Sequence, residues 1–176
     1  MYRVIIDIET TGLDILRDTP IQIAAIVLND SLNEVSDFSF FVNPFKRISQ
    51  KVESITGITN EELLKHGYID SVATKRYMDF IWKWQPCTLV GHNLISFDFP
   101  MLTNWLQTYF QGKFKQPPIA SLVDTMHLAS IKFKTRKWLK LEDCGKRLDI
   151  IFNKEQLHNA IADVRLTKAV YLALLD

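Results

Sequence analysis

An α/β fold is predicted by three features of this 176-residue sequence. Short β-rich apolar runs crowd its N-terminal quarter, longer patterns of helical period fill most of the remainder, and a further short apolar stretch at 88–91 lies between two of those helices. Neither an internal repeat nor a low-complexity linker interrupts this order.

Residues 2–8, 21–28 and 38–42 read as strands, and Asn29-Asp30-Ser31-Leu32-Asn33 supplies turn chemistry between the second and third, so the three form an antiparallel meander. A short helix begins after Thr59, the expected N-cap, with Glu62 three residues on to complete a capping box. The stretch 71–84 is a longer amphipathic helix whose Val72, Tyr77, Phe80, Ile81 and Trp84 are expected to face inward. Residues 88–91 form a short buried strand, and the segment after its C-terminal end lies where open α/β sheets place ligands. The pattern over 97–110 is helical, and Pro100 is compatible with it only in the first turn. Residues 112–120, with Pro117-Pro118, read as a loop, and 124–133, 141–148 and 160–174 read as three further helices.

A chain of this length with 47% hydrophobic residues can bury one good core, so residues 1–176 are expected to be a single domain. No stretch is apolar for long enough to span a bilayer, and no charged segment followed by an apolar one opens the sequence. A soluble, cytoplasmic protein with no membrane partner is expected. Cys87 and Cys144 are too few and too unpatterned for a disulfide framework or a zinc site, and read as small buried hydrophobes. The net charge of +1 excludes little, because a polyanion responds to the local field.

The chemistry lies in five residues: Asp7-x-Glu9, then Asp98, then His158 followed by Asp163. Asp7 and Glu9 sit two apart in an apolar strand, so period two puts both carboxylates on one face. A lone acid is usually a solvated charge or a helix cap, and Asp98 taken alone could simply complement a helix dipole. Two carboxylates about 4 Å apart in a strand repel by roughly 4 kcal/mol at an effective dielectric of about 20, and a divalent cation reverses that sign. An all-oxygen donor set without a cysteine pair suits Mg²⁺ or Mn²⁺ better than Zn²⁺. Asp163 falls in the first turn of the last predicted helix, so His158, five residues earlier, belongs to the loop entering it. His66 and His127 read as ordinary polar residues, and His92 as a support for its loop.

With these residues in view, the chain resembles the DEDDh subgroup of the DnaQ-like 3′-to-5′ exonucleases. The resemblance is carried by Asp7-Ile8-Glu9-Thr10-Thr11-Gly12-Leu13, by the run from Gly91-His92-Asn93 to Phe97-Asp98-Phe99-Pro100-Met101-Leu102, and by His158 through Asp163. Ser54-Ile55-Thr56-Gly57-Ile58-Thr59 and the segment beginning Val123-Asp124 are also similar to family sequence, and together the matches span 2–167. Three motifs in order and in the right local context are a specific signal. The resemblance implies a ribonuclease H-like fold: a mixed five-stranded sheet, an antiparallel meander plus parallel strands, flanked by helices.

It also implies two-metal hydrolysis of the 3′-terminal phosphodiester, giving nucleoside 5′-monophosphates. One Mg²⁺ or Mn²⁺ would be held by Asp7, Glu9 and Asp163, and a second by Asp7 and, indirectly, Asp98. His158 would be the base, since a free imidazole titrates near about 6.5. The backbone at Thr10 and Thr11 would approach the terminal nucleotide, and Gly12 would remove an obstructing side chain. Leu13 would wedge against the last base, with Asn93 and Phe97 completing the substrate contacts.

Two other readings compete with a 3′-to-5′ exonuclease. An RNase H-like endonuclease shares acid clusters on a related sheet, but the Asp-x-Glu strand and the His158/Asp163 pair argue against it. A catalytically silent nucleic-acid-binding scaffold would be expected to lack at least one of the five residues. The expected partner is a single-stranded or frayed 3′ end of DNA or RNA, and action alone, as a homodimer, or with a polymerase or another nucleic-acid-processing partner is compatible with the sequence. Finally, the run from Lys132 to Lys140 interleaves five basic residues with Phe133 and Trp138 between two predicted helices. It reads either as a phosphate-contact surface or as a solvated linker with two core aromatics.

Overall fold

A computed structural model describes residues 1–113, 115, 117–153 and 157–175. Its sheet has five strands, β1 (Tyr2–Thr10), β2 (Pro20–Leu28), β3 (Glu34–Phe41), β4 (Cys87–Gly91) and β5 (Ile119–Asp124), in the order β3-β2-β1-β4-β5. β1, β2 and β3 form the antiparallel meander, while β4 runs parallel to β1 and β5 parallel to β4. This is the mixed sheet, an antiparallel meander plus parallel strands, that the resemblance implies. The helices are α1 (Gln50–Thr56), α2 (Asn60–His66), α3 (Asp70–Lys83), α4 (Asp98–Tyr109), α5 (Thr125–Lys132), α6 (Leu141–Arg147) and α7 (Ala160–Leu175).

Alternation along β1 divides the core into two layers. Its even residues Val4, Ile6 and Ile8 face a cluster containing Tyr77 and Ile81 of α3 and Met101, Leu102 and Trp105 of α4. Its Ile5 faces the other way, packing with Ala24 and Ile26 of β2 against Ala160, Val164 and Tyr171 of α7. β2 is covered on both faces and buried throughout, which explains its unbroken apolar run. Each large aliphatic side chain so buried contributes roughly 1.5–3 kcal/mol. Trp105 donates from Nε1 to Asp70 Oδ1 at 3.0 Å, locking α4 onto the first turn of α3.

Several boundaries differ from the sequence reading. β1 runs on through Glu9 and Thr10, and β3 begins at Glu34 and not at 38. The fifth strand has no placement by pattern, its first residues falling in the stretch that reads as a loop; within that loop Phe114 and Gln116 lie outside the described residues. β5 pairs with β4 alone and is mostly half-exposed, so it lacks the strong alternation that marks a strand. Helix α1 also escapes the pattern, because it buries only Thr56; it is defined by its ends, Ser49 capping Val52 N–H and Gly57 in the left-handed region at φ 71°. Val72, expected inside, is 40% exposed. Thr59 does cap α2, accepting from Glu62 N–H at 3.1 Å. Cys87 and Cys144 are both buried thiols. No helix among the described residues is long and apolar enough to cross a membrane.

Candidate active site

Because Asp7 and Glu9 share the odd face of β1 with Ile5, they point to the side that α7 covers. There Asp163, in the first turn of α7, meets them: one carboxylate oxygen from each of the three lies within 4.8 Å of the others. Asp163 Oδ1 is buried and has no hydrogen-bond partner among the described residues. None of Asp7, Glu9, Asp98 or Asp163 is in an ion pair among the described residues. Three oxygen donors, one of them orphaned, with no cationic side chain between them, fit a hard divalent cation.

Asp98 reaches the same end of β1 from the opposite layer. It is the first residue of α4, which packs on the even face, and it is only 4% exposed. Its carboxyl is held by the N–H groups of Ile8 and of Asp98 itself. It is therefore not one of the three mutually close carboxylates, yet its charge acts on Asp7.

The electrostatics follow from burial and crowding. Burial, reinforced by Asp98, Asp163 and Glu9, holds the Asp7 carboxyl well above the usual carboxylate range. Burial together with Asp163 and Asp98 raises Glu9 to about 8. Burial likewise raises Asp98 to about 7, against the opposing pull of its backbone donors. Burial raises Asp163 to about 6, tempered by a hydrogen bond from His158 N–H. At an effective dielectric of about 20, each ionised pair among Asp7, Glu9 and Asp163 costs roughly 3.5 kcal/mol at 4.8 Å. Protons relieve that cost in the absence of a cation.

His158 is exposed on the loop entering α7, with φ 67°, and its N–H donates to Asp163 Oδ2 at 3.1 Å. The unusual backbone angle is thus tied to the acid it accompanies. The loop after β1 is held internally: Thr10 Oγ1 donates to the Gly12 carbonyl at 2.6 Å and Thr11 Oγ1 to Asp18 Oδ1 at 2.7 Å. A Cβ on Gly12 would lie 2.4 Å from Asp18 Oδ2, so the glycine makes room for the chain's own Asp18, a reason that the sequence alone does not reveal. Leu13 is 83% exposed beside this loop. Phe97, expected to contact the substrate, is half-buried and packs against the α3/α4 core.

Two positioning residues are not among the site residues expected from sequence. Gln22 is 1% exposed on β2, cross-strand from Glu9, and its Oε1 accepts from Ala160 N–H at 3.0 Å, joining the sheet to the start of the helix that carries Asp163. A glutamine inside an apolar strand is the available signal, since a buried amide must find partners. Asp124, 4% exposed, accepts from Asn93 N–H (2.9 Å), Ile95 N–H (3.2 Å) and Met126 N–H (3.0 Å), fixing the loop between β4 and Asp98. Asn93 there has φ 63°, a conformation asparagine tolerates better than most residues. His92 supports the same loop as expected: Nε2–H donates to the Leu139 carbonyl at 2.9 Å, and Nδ1 lies 2.9 Å from Thr125 Oγ1, whose hydroxyl also reaches the Gly91 carbonyl at 3.2 Å. Burial lowers the His92 pKa and favours the neutral ring.

Comparison with known proteins gives this geometry a context. Residues 4–171 match the model of the RNase_T exonuclease family. The chain is 33% identical over 167 residues to the PolC-type DNA polymerase III of Clostridium perfringens, which covers 95% of this chain and 11% of that protein. It is 29% identical over 175 residues to the epsilon subunit of DNA polymerase III from Rickettsia prowazekii, covering 99% of this chain and 74% of the subunit. The chain thus spans about a ninth of the PolC-type relatives' length. Escherichia coli exonuclease I superposes with a TM-score of 0.82 at 22% identity, over 99% of this chain and 40% of that one.

The raised acids dictate a pH dependence. From about pH 4 to about 8 the metal-free folded state binds more protons than the unfolded chain, so its stability falls as pH rises. In thermal melts with EDTA, the protein should melt lower at pH 8 than at pH 5.5, by about 4–8 °C for each ~2 kcal/mol of stability removed. Mg²⁺ or Mn²⁺ should restore more at pH 8, and Asp163→Asn should flatten both effects. A metal-free melting temperature that climbs across this interval would contradict the assignment. Asp124→Ala should remove the acceptor of three loop amides and cost about 1–3 kcal/mol, read by denaturant titration; an unchanged midpoint would show that the loop holds itself.

Proposed function

Because the chain belongs to the RNase_T exonuclease family, we propose that it is a divalent-metal-dependent 3′-to-5′ exonuclease releasing nucleoside 5′-monophosphates from single-stranded or frayed ends. The observation that carries the reading is the meeting of Asp7, Glu9 and Asp163 within 4.8 Å, with no cation to balance them among the described residues. Mg²⁺ or Mn²⁺ is the cation this all-carboxylate donor set suits. Asp7, Glu9 and Asp163 would hold one ion, and Asp7, with Asp98 acting through water, a second. Bound there, such ions lower the pKa of the attacking water and stabilise charge on the leaving 3′-oxygen.

The chain's own residues supply the rest. His158, exposed on a loop tethered to Asp163 by its backbone, takes the proton of the attacking water. Asp98, buried and held by backbone donors, stays fixed at the same end of β1 and sustains the negative potential. The backbone at Thr10, Thr11 and Gly12, with Asn93 and Phe97, flanks the terminal nucleotide. Leu13, already exposed, meets its base. The DNA polymerase III relatives support DNA as the first substrate to test, and a polymerase as the first partner.

An end-labelled panel of single-stranded and duplex DNA and RNA with Mg²⁺ or Mn²⁺ tests the reading. A 5′-labelled strand should give a descending ladder, a 3′-phosphate should slow or block it, and excess chelator should abolish it. Cutting of a circular single strand into internal fragments would overturn the exonuclease assignment. Asp7→Asn and Asp163→Asn should each lower turnover by orders of magnitude in a folded protein. His158→Ala should lower turnover while leaving cation affinity largely intact, and should remove the acid limb of the pH–rate profile; an intact limb would show that another group takes the proton.

A further inference from the structure

The two aromatics of the basic run after α5 differ in three dimensions, one packed inward and the other exposed. Phe133 turns inward, packing on the α5/α6/α7 core with Arg147 over its ring at 5.4 Å. Lys132 is engaged by α7, donating to the Ala173 carbonyl at 3.1 Å. Trp138 does the opposite and is 64% exposed, touching His127 at a ring-centroid separation of 5.0 Å. Lys134, Arg136, Lys137 and Lys140 are all exposed, and none is in an ion pair among the described residues. Of the acids that open α6, Glu142 is already paired with Lys146 at 2.6 Å.

This surface is anchored to the loop that leads to Asp98. Leu139 is buried, and its carbonyl accepts from Nε2 of His92, the residue before Asn93 in the loop that leads to Asp98. Within the run, Thr135 Oγ1 accepts from Lys137 N–H at 3.1 Å. An exposed indole among four uncompensated cations is poorly explained by solubility alone. It combines a flat stacking face with a positive track, the pairing used to bind a single strand without regard to sequence.

We propose that residues 134–140 form the upstream strand-binding surface of this protein: a base of single-stranded nucleic acid stacks on Trp138, and the neighbouring phosphates lie on Lys134, Arg136, Lys137 and Lys140. The proposal rests on the exonuclease reading for the placement of the 3′ end, and gives the strand behind that end a path. It accounts for how a nearly neutral chain retains a polyanion next to four carboxylates.

The test uses fluorescence anisotropy with a labelled 20-mer and a labelled trinucleotide in EDTA, across a salt series, so that binding is read without hydrolysis. For Trp138→Ala the preference for the 20-mer over the trinucleotide should shrink about tenfold, and Trp138→Phe should recover most of it. For Lys134, Arg136 and Lys137 changed together to Ala, the log–log salt slope for the 20-mer should flatten by about 2, or about 0.7 for each phosphate no longer neutralised. If both variants keep the wild-type length preference and salt slope, the proposal is wrong and the surface is left to an acidic protein partner. Failure of the exonuclease reading would show separately, as absence of hydrolysis in Mg²⁺ or Mn²⁺ with these binding effects intact.

Discussion

Repulsion among crowded, largely desolvated carboxylates is the constraint around which this molecule is arranged. Asp7 and Glu9 are set by strand geometry on one face, and the helix that must cover that face to complete the core brings Asp163 with it. The hydrophobic contacts of Ile5, Ala24 and Ile26 with α7 cannot form without assembling the acids. Part of the fold's stability is therefore offset by holding like charges together, a cost that protons relieve at low pH and that the proposed divalent cation would relieve at neutral pH. A group of acids serving only solubility would have no reason to be gathered beneath a helix.

The supporting structure is built to hold this unfavourable arrangement still. Gln22 ties the start of α7 to β2, Asp124 ties down the loop before Asp98, and His92 joins that loop to Leu139. Each is a largely buried polar group whose partner lies on another element, so each both satisfies a backbone group and fixes a distance. His158 differs: its backbone is fixed to Asp163 while its side chain is exposed, which suits the role of base proposed for it. Rigid acids and an accessible imidazole form a division of labour consistent with hydrolysis at a chain end.

The features legible in the sequence are those that depend on local period and local spacing. The three-strand meander, the long helices and the common face of Asp7 and Glu9 all follow from periods of two and 3.6 residues. The joining of Asp98 and Asp163 to that pair comes from motif resemblance, because no local rule brings α4 and α7 to one strand end. Gln22 and Asp124 escape a sequence reading for the same reason: their roles are contacts across 138 and about 30 residues of chain. β5 escapes it because an edge strand that is half-exposed has little pattern to show. In the basic run, sequence does not tell which aromatic turns inward; Phe133 does and Trp138 does not.

The most direct test of the central claim is a count of bound cations. Titration of the metal-free protein with Mn²⁺, followed by electron paramagnetic resonance in the presence of a nucleoside 5′-monophosphate, should give two ions per chain near neutral pH and fewer in Asp163→Asn. Absence of Mn²⁺ binding by the wild-type protein, or equal binding by that variant, would contradict it.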